Sequence, residues 1–115
     1  MSPKVELTFW ILFFMVFIHT TCATSEEAEA LGKLIVEKKM GACVHHWPIK
    51  SMYNWKGEFK KMEEVMMIIT TFESKLEGVK DLISQHHNYS TPMIAGIDIN
   101  RINRAYKEWM MKEVT

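Results

Sequence analysis

This chain is poor in cysteine, has no excess of either charge and lacks the short motifs that mark common metal or phosphate sites. Its 115 residues include only Cys22 and Cys43 as cysteines, and 14 basic residues balance 14 acidic ones. Two cysteines are too few for the disulfide framework of a small secreted domain, although one bridge is arithmetically possible. Without a basic field, the chain lacks the main source of affinity for nucleic acid. We therefore expect a cytoplasmic protein that does not bind nucleic acid.

Helix signals divide the chain from residue 24 onward. Thr24 and Glu27 have the spacing of a capping box and Gly41 is a candidate stop, so we predict a helix over residues 25–40. Ser74 and Glu77 repeat the capping-box spacing and predict a second helix that frays near residue 86. Apolar residues at helical spacing predict a short closing helix around residues 105–110.

Strand signals fill the stretches between these helices. Residues 42–55 and 58–71 predict a long hairpin with Lys56-Gly57 at its turn, and residues 92–99 predict one more strand. Pro48 cannot donate to a β-ladder, so it should mark a bulge or an edge. The continuous apolar run 65–69 predicts a strand covered on both faces or buried between subunits. The resulting order is a split βαβ unit that lacks only its first strand.

The apolar run LTFWILFFMVFIHTTC, residues 7–22, can be read as a cleaved leader or as that missing strand. It is too short to span a bilayer comfortably, and cleavage after Ala23 would delete a strand that belongs in the middle of the sheet. We therefore predict a first strand from about Met15 to Cys22, within a single domain over residues 15–115. Residues 1–14 are a hydrophobic extension, with an uncleaved membrane anchor or a secretory or mitochondrial remnant as alternatives.

The string GACVHHWPIKSMYNWKGEF, which begins at Gly41, resembles the CutA family of divalent-cation-tolerance proteins. The family pattern in this stretch is A-C-V-N, a proline and S-x-Y-x-W-x-G. The resemblance continues through the apolar strand that ends at Thr71, through HHNYSTP at residues 86–92 and through Tyr106-x-x-Trp109. It covers about residues 15–113.

The resemblance implies an α+β, ferredoxin-like subunit with an antiparallel sheet, a long hairpin between the second and third strands and a C-terminal helix, assembled as a homotrimer. It also implies tolerance of copper or other divalent cations, with an acetylcholinesterase-anchoring role in animal members and no enzymatic activity. Several positions depart from the family pattern, most of them near its polar pocket. These positions are Thr20, His45, Thr70, Asn88, Ser90 and Met93.

His86 and His87 are the first candidates for metal ligands, because imidazole binds copper and zinc well. Bacterial relatives with adjacent histidines here are thought to bind copper together with a cysteine at the end of the first strand. Thr20 stands at that cysteine's position, but Cys22 lies two residues further on the same strand face and is the third candidate ligand. The alternative is that the two histidines only terminate a helix.

The remaining distinctive residues have simpler interpretations. His45 and His46 are adjacent on a strand and face opposite sides, so they should not chelate together, and Cys43 should pack as a small buried hydrophobe. Four aromatic residues could line a cleft for a small ligand between subunits, although stacking at the trimer interface is favoured. These residues are Tyr53, Trp55, Tyr106 and Trp109.

Three functions are compatible with these sequence features. The first is a non-enzymatic, trimeric protein that binds copper or another divalent cation, and the second is a trimeric scaffold that stabilises or localises a partner protein. The third, an acylphosphatase-like enzyme, is disfavoured because the loop TTCATSEE, residues 20–27, has neither arginine nor glycine to bind an anion.

Overall fold

The computed structural model describes residues 13–87 and 91–115, and it contains four strands and three α-helices. The strands are β1 (Met15–Cys22), β2 (Cys43–Trp55), β3 (Glu58–Phe72) and β4 (Ile94–Ile99). The helices are α1 (Ser25–Glu37), α2 (Leu76–His86) and α3 (Arg104–Glu113), with a 3-10 turn over Glu73–Lys75 before α2. The predicted α+β class and element order are therefore confirmed.

β1 lies in the middle of the sheet, as the topology of the later elements predicted. The four strands are antiparallel and follow the order β2-β3-β1-β4. Ile18 of β1, for example, lies between Ile69 of β3 and Gly96 of β4. Of the predicted extension over residues 1–14, residues 1–12 lie outside the described part of the chain. Within the described part, no helix is long and apolar enough to cross a membrane.

α1 begins as the sequence predicted but ends differently. The Glu27 amide donates to the Thr24 hydroxyl at 3.2 Å, and the Glu27 carboxylate accepts from the Ala23 amide at 3.0 Å. At the other end Lys39, not Gly41, adopts the left-handed conformation, with φ of 59°. The Met40 amide then donates to the Ile35 carbonyl, which completes a Schellman cap. The prediction that Gly41 stops the helix is wrong.

Gly41 is required for space. A Cβ atom at this position would lie 2.8 Å from the Cγ2 atoms of both Ile35 and Ile69, which are fully buried. Ordinary carbon contacts lie near 3.5–4.0 Å. The glycine therefore allows the chain to pass closely between α1 and β3 as it enters β2.

The hairpin and the start of α2 give one confirmed and one wrong prediction. Lys56 and Gly57 both have positive φ, as the tight turn requires, and Pro48 pairs with Val65 on the edge strand β2 without a bulge. The predicted capping box at Ser74 is absent, because a 3-10 turn occupies this stretch and the N-cap residue of α2 is Lys75.

Two clusters of buried residues lie on opposite faces of the sheet. α1 and α2 cover the face that carries the even-numbered residues of β1, in a core formed by Val16, Ile18, Cys22, Ala28, Leu31, Ile35, Val65, Met67, Ile69, Val79 and Ile83. α3 covers only one end of the other face, in a cluster of Met15, Ala42, Phe72, Met110 and Val114.

We call the rest of this second face the open face. Its side chains follow from the strand register and include Phe17, His19, Thr21, Cys43, His45, Trp47, Ile49, Met66 and Ile68. The apolar run 65–69 is thus covered by helices through Val65, Met67 and Ile69, whereas Met66 and Ile68 are only half-buried.

Candidate functional site

The two predicted histidine ligands lie at the C-terminal end of α2. His86 is the last residue of the helix and is exposed, and its Nδ1 atom donates to the Leu82 carbonyl at 3.0 Å. A carbonyl can only accept, so this contact fixes the neutral tautomer with the lone pair on Nε2. Such a hydrogen bond from the second ring nitrogen is the usual support of a metal-binding histidine.

His87 connects the end of α2 to the end of β1. It follows the helix in an extended conformation, and its Nε2 atom donates to the carbonyl oxygen of Thr21. Thr21 directly precedes Cys22, so the fold brings the backbone of all three predicted ligands to one corner of the molecule. The partial negative charge at the C-terminus of a helix also favours a cation there.

The side chain of Cys22, the third predicted ligand, points into the core. It is 3% exposed, and its Sγ atom lies 3.3 Å from the Met67 sulfur, to which it donates. Burial, together with the nearby Glu27 carboxylate, raises the pKa of the Cys22 thiol to about 11. At neutral pH the side chain is therefore a thiol, whereas metals bind the thiolate.

Thr20, at the position of the bacterial cysteine, is fully buried next to Cys22 on the same strand face. Its hydroxyl oxygen has no hydrogen-bond partner among the residues that the structure describes. Among the other positions that depart from the family pattern, Thr70 is buried and Met93 is exposed, while Asn88 and Ser90 fall outside the described residues.

Histidine, cysteine and carboxylate side chains do not gather into a ready-made metal cage in the described part of the chain. Across residues 13–87 and 91–115, no group of three or more such side chains is placed to hold one ion. Both cysteines are free thiols, so the single disulfide that the sequence allowed is not formed.

The four predicted aromatic residues form two separate pairs within one chain. Tyr53 and Trp55, near the tip of the hairpin, line a cleft of about 660 Å³ together with Ile49, Glu64, Met66 and Met93. Tyr106 and Trp109 pack together on α3, with ring centroids 5.3 Å apart. Tyr106 lies next to Cys43, which is ten residues before Tyr53 on the same strand, so the pairs lie roughly 30 Å apart.

Cys43 and His45 form a contact that was not predicted from the sequence. These residues are two apart on β2 and share the open face, and the Cys43 sulfur lies 3.7 Å from Nε2 and 3.9 Å from Nδ1 of His45. Cys43 is only half-buried, contrary to its predicted place in the core. Burial and the neighbouring Cys43 side chain raise the pKa of Tyr106. The i, i+2 spacing on a strand was the signal that could have revealed this pair.

Comparison with known proteins decides the family. Residues 16–113 match the family model described as CutA1 divalent ion tolerance protein, which spans most of the chain. The chain belongs to the CutA1 family.

Relatives from several kingdoms share this fold. A divalent-cation tolerance protein CutA from Archaeoglobus fulgidus is 38% identical over 98 residues, which cover 85% of this chain and 96% of that protein. The solved structure described as the periplasmic CutA of Archaeoglobus fulgidus is similar with a TM-score of 0.86 at 37% identity, covering 88% of this chain and 99% of the other. CutA1 from Oryza sativa gives a TM-score of 0.87 at 27% identity, with 91% and 97% covered.

Membership of the CutA1 family associates the chain with divalent-cation tolerance in general. The metal identity and the ligands do not follow from this similarity and depend on the residues of this chain.

Proposed function

We propose that this protein contributes to divalent-cation tolerance as a non-enzymatic protein that binds copper through His86 and His87. The observation that supports the proposal best is the state of His86. Its ring is exposed, and the Leu82 carbonyl holds it in the tautomer whose Nε2 lone pair faces away from the helix. Neutral imidazole prefers Cu²⁺ over the other common divalent ions of the first transition row.

Cys22 is the weakest member of the proposed ligand set. Its thiol is buried against Met67 and has a raised pKa, so it would have to move and lose a proton before it could bind copper. We therefore propose that the two histidines provide most of the affinity, with Cys22 as a further ligand only if β1 shifts at its end.

A copper titration with matched variants tests this proposal. We expect the wild-type protein to bind Cu²⁺. We expect His86→Ala/His87→Ala to lower the affinity by about tenfold or more, because loss of the outer-shell partners of metal ligands alone costs about 10–100-fold. His46→Ala serves as the control, because His46 is an exposed histidine on the hairpin that faces the opposite side from the open face. Cys22→Ser should change the affinity less than the histidine variant. Equal copper affinity in wild type and the double-histidine variant would eliminate this site.

We further propose that the protein acts as a homotrimer. The open face and the hairpin leave large apolar side chains in solvent within one chain, and burial between copies would remove them from water. Among them are Trp47, Tyr53, Trp55, Phe59 and Ile97. Assembly would also explain why the two aromatic pairs are far apart in one chain, since Tyr53 and Trp55 of one copy could meet Tyr106 and Trp109 of another.

Light scattering coupled to gel filtration tests the trimer. We expect a solution mass of three times the 13.5 kDa chain, and a smaller mass for Trp55→Ala if the hairpin tip is part of the interface. A monomer at every concentration would contradict the proposal.

The two reduced cysteines favour the cytoplasm as the compartment, because disulfides do not persist there.

A trimeric scaffold that stabilises or localises another protein is the second candidate. It is favoured by the lack of a three-ligand cage in the described residues and by the aromatic cleft at the hairpin. A complex that survives metal chelation and the His86→Ala/His87→Ala change, yet is lost in Trp55→Ala, would support this role. A pull-down that returns only further copies of the chain would count against it.

A further inference from the structure

The geometry of β2 brings two good ligands for soft metals to one place on the open face. Cys43 and His45 are separated by two residues on a regular strand, so their side chains leave the same face of the sheet. Cys43 lies opposite Thr70 and His45 lies opposite Ile68 in the register with β3. The arrangement depends only on the strand, and a rigid strand holds a pair of ligands better than a loop does.

The distance between the two side chains matches what a shared ion would impose. The Cys43 sulfur lies 3.7 Å from Nε2 of His45. A tetrahedral zinc ion with Zn–S near 2.3 Å and Zn–N near 2.05 Å separates its sulfur and nitrogen ligands by about 3.6 Å. Both ring nitrogens are nearly equidistant from the sulfur, so rotation about the soft Cβ–Cγ torsion of His45 is enough to point one of them at the ion.

The surroundings of the pair suit a binding site. Cys43 is half-buried and lies next to Tyr106 of α3. His45 is exposed within one chain, so in the proposed trimer the pair would lie on the face between copies. No third histidine, cysteine or carboxylate joins them among the described residues, which leaves the remaining coordination positions to water.

We propose that Cys43 and His45 form a second binding site for a thiophilic cation, Zn²⁺ or Cu⁺, separate from the corner at His86 and His87. Thiolate and imidazole together are ligands that both of these ions accept. The two sites lie at different places on the sheet. His87 contacts Thr21 of β1, whereas Cys43 is in line across the sheet with Phe17 of β1, four residues from Thr21. That separation is about 13 Å along the strand. His45 stands where the family pattern has asparagine, so the site is a property of this chain.

Metal binding in a protein without the first site tests the second. The protein that carries His86→Ala/His87→Ala is the parent for this test. In its reduced form it is titrated with Zn²⁺ against a chromophoric chelator, and separately with Cu⁺ under anaerobic conditions. We expect one ion per chain, and at least about a tenfold loss of affinity on adding Cys43→Ser or His45→Asn. His46→Asn is the matched control and should leave the affinity unchanged, because its side chain faces the other way. If only one of the two cations binds, that cation is the one that the site prefers.

One spectroscopic and one chemical measurement report directly on whether Cys43 binds the ion. Co²⁺ in place of Zn²⁺ should give a thiolate charge-transfer absorption that Cys43→Ser abolishes, and Zn²⁺ should slow alkylation of Cys43 in the parent but not in His45→Asn. The proposal is overturned if the parent binds neither cation, or if Zn²⁺ leaves the alkylation rate of Cys43 unchanged. Because the parent lacks His86 and His87, this failure would not affect the copper proposal, and the reverse also holds.

Discussion

Replacement of Gly41 by alanine tests how closely the chain passes between α1 and β3 before it enters the strand that carries Cys43. The added Cβ would lie 2.8 Å from a methyl carbon of Ile35 and 2.8 Å from one of Ile69, where about 3.5–4.0 Å is comfortable. Both isoleucines are fully buried, so neither can move without disturbing the first core. Overpacking of this kind costs about 1–3 kcal/mol, and the lower entropy of the unfolded alanine chain returns about 0.4–1 kcal/mol. We expect a net loss of about 1–2 kcal/mol.

Gly78→Ala is the matched control for this prediction. Gly78 lies inside α2, and its added Cβ would meet only the terminal methyl of Met40, at 2.6 Å. A methionine end is flexible, and alanine is favoured over glycine inside a helix by about 1 kcal/mol. We therefore expect this variant to be as stable as the wild type or slightly more stable.

Urea unfolding at one fixed protomer concentration measures both variants, since self-association would make the apparent stability depend on concentration. The Gly41→Ala variant should unfold at lower urea than Gly78→Ala with an unchanged slope. If Gly41→Ala equals the wild type to within about 0.5 kcal/mol, or if Gly78→Ala is the less stable of the two, then close packing does not restrict the side chain at position 41.

Three further predictions concern buried polar groups and backbone strain. Thr20→Val should stabilise the protein by about 1 kcal/mol, because it removes a buried hydroxyl with no partner among the described residues. Thr71→Val should destabilise it, because it removes the 2.6 Å hydrogen bond to the Met40 carbonyl. Urea unfolding that ranks the two variants in the opposite order would contradict this prediction. Iodoacetamide at pH 8 should label Cys43 and spare Cys22, as measured by peptide mass spectrometry. Burial raises the pKa of Cys22 to about 11, so the stability that its thiol contributes is complete below its unfolded pKa of about 8.5 and is lost as the pH rises through 11. Cys22→Ala should therefore flatten the loss of stability between these two pH values. Lys39→Gly should raise the melting temperature, because Lys39 is exposed and holds a left-handed conformation that costs about 1 kcal/mol without glycine; an unchanged or lower value would count against it.

The two proposed metal sites differ in what they require of the protein. At the α2 corner the histidines are supported by backbone carbonyls of Leu82 and Thr21, so the site depends on how α2 ends against β1. The Cys43–His45 pair depends only on the alternation of side chains along β2. Substitutions that loosen α2 should therefore weaken the first site and leave the second unchanged.

Local signals predicted the elements well where a residue acts on its own neighbours in the chain. The Thr24 cap, the Lys56-Gly57 turn and the edge position of Pro48 were all confirmed, because each follows from one residue's hydrogen-bonding groups or backbone freedom. The Ser74 capping box failed, since a 3-10 turn was compatible with the same letters.

The sequence by itself determined the element order, the central place of the first strand and the family resemblance, since these depend on periodicity, turn chemistry and the number of strands a split βαβ unit needs. Only the tertiary structure decided which side chains meet. Cys22 and Cys43 look alike as letters, yet one is sealed against Met67 and the other lies half-buried beside His45. Gly41 likewise has the sequence pattern of a helix stop, but a glycine is required there because the chain packs closely against Ile35 and Ile69. The physical reason is that burial and distance across the sheet depend on strand register and helix placement, which are set by the whole chain at once.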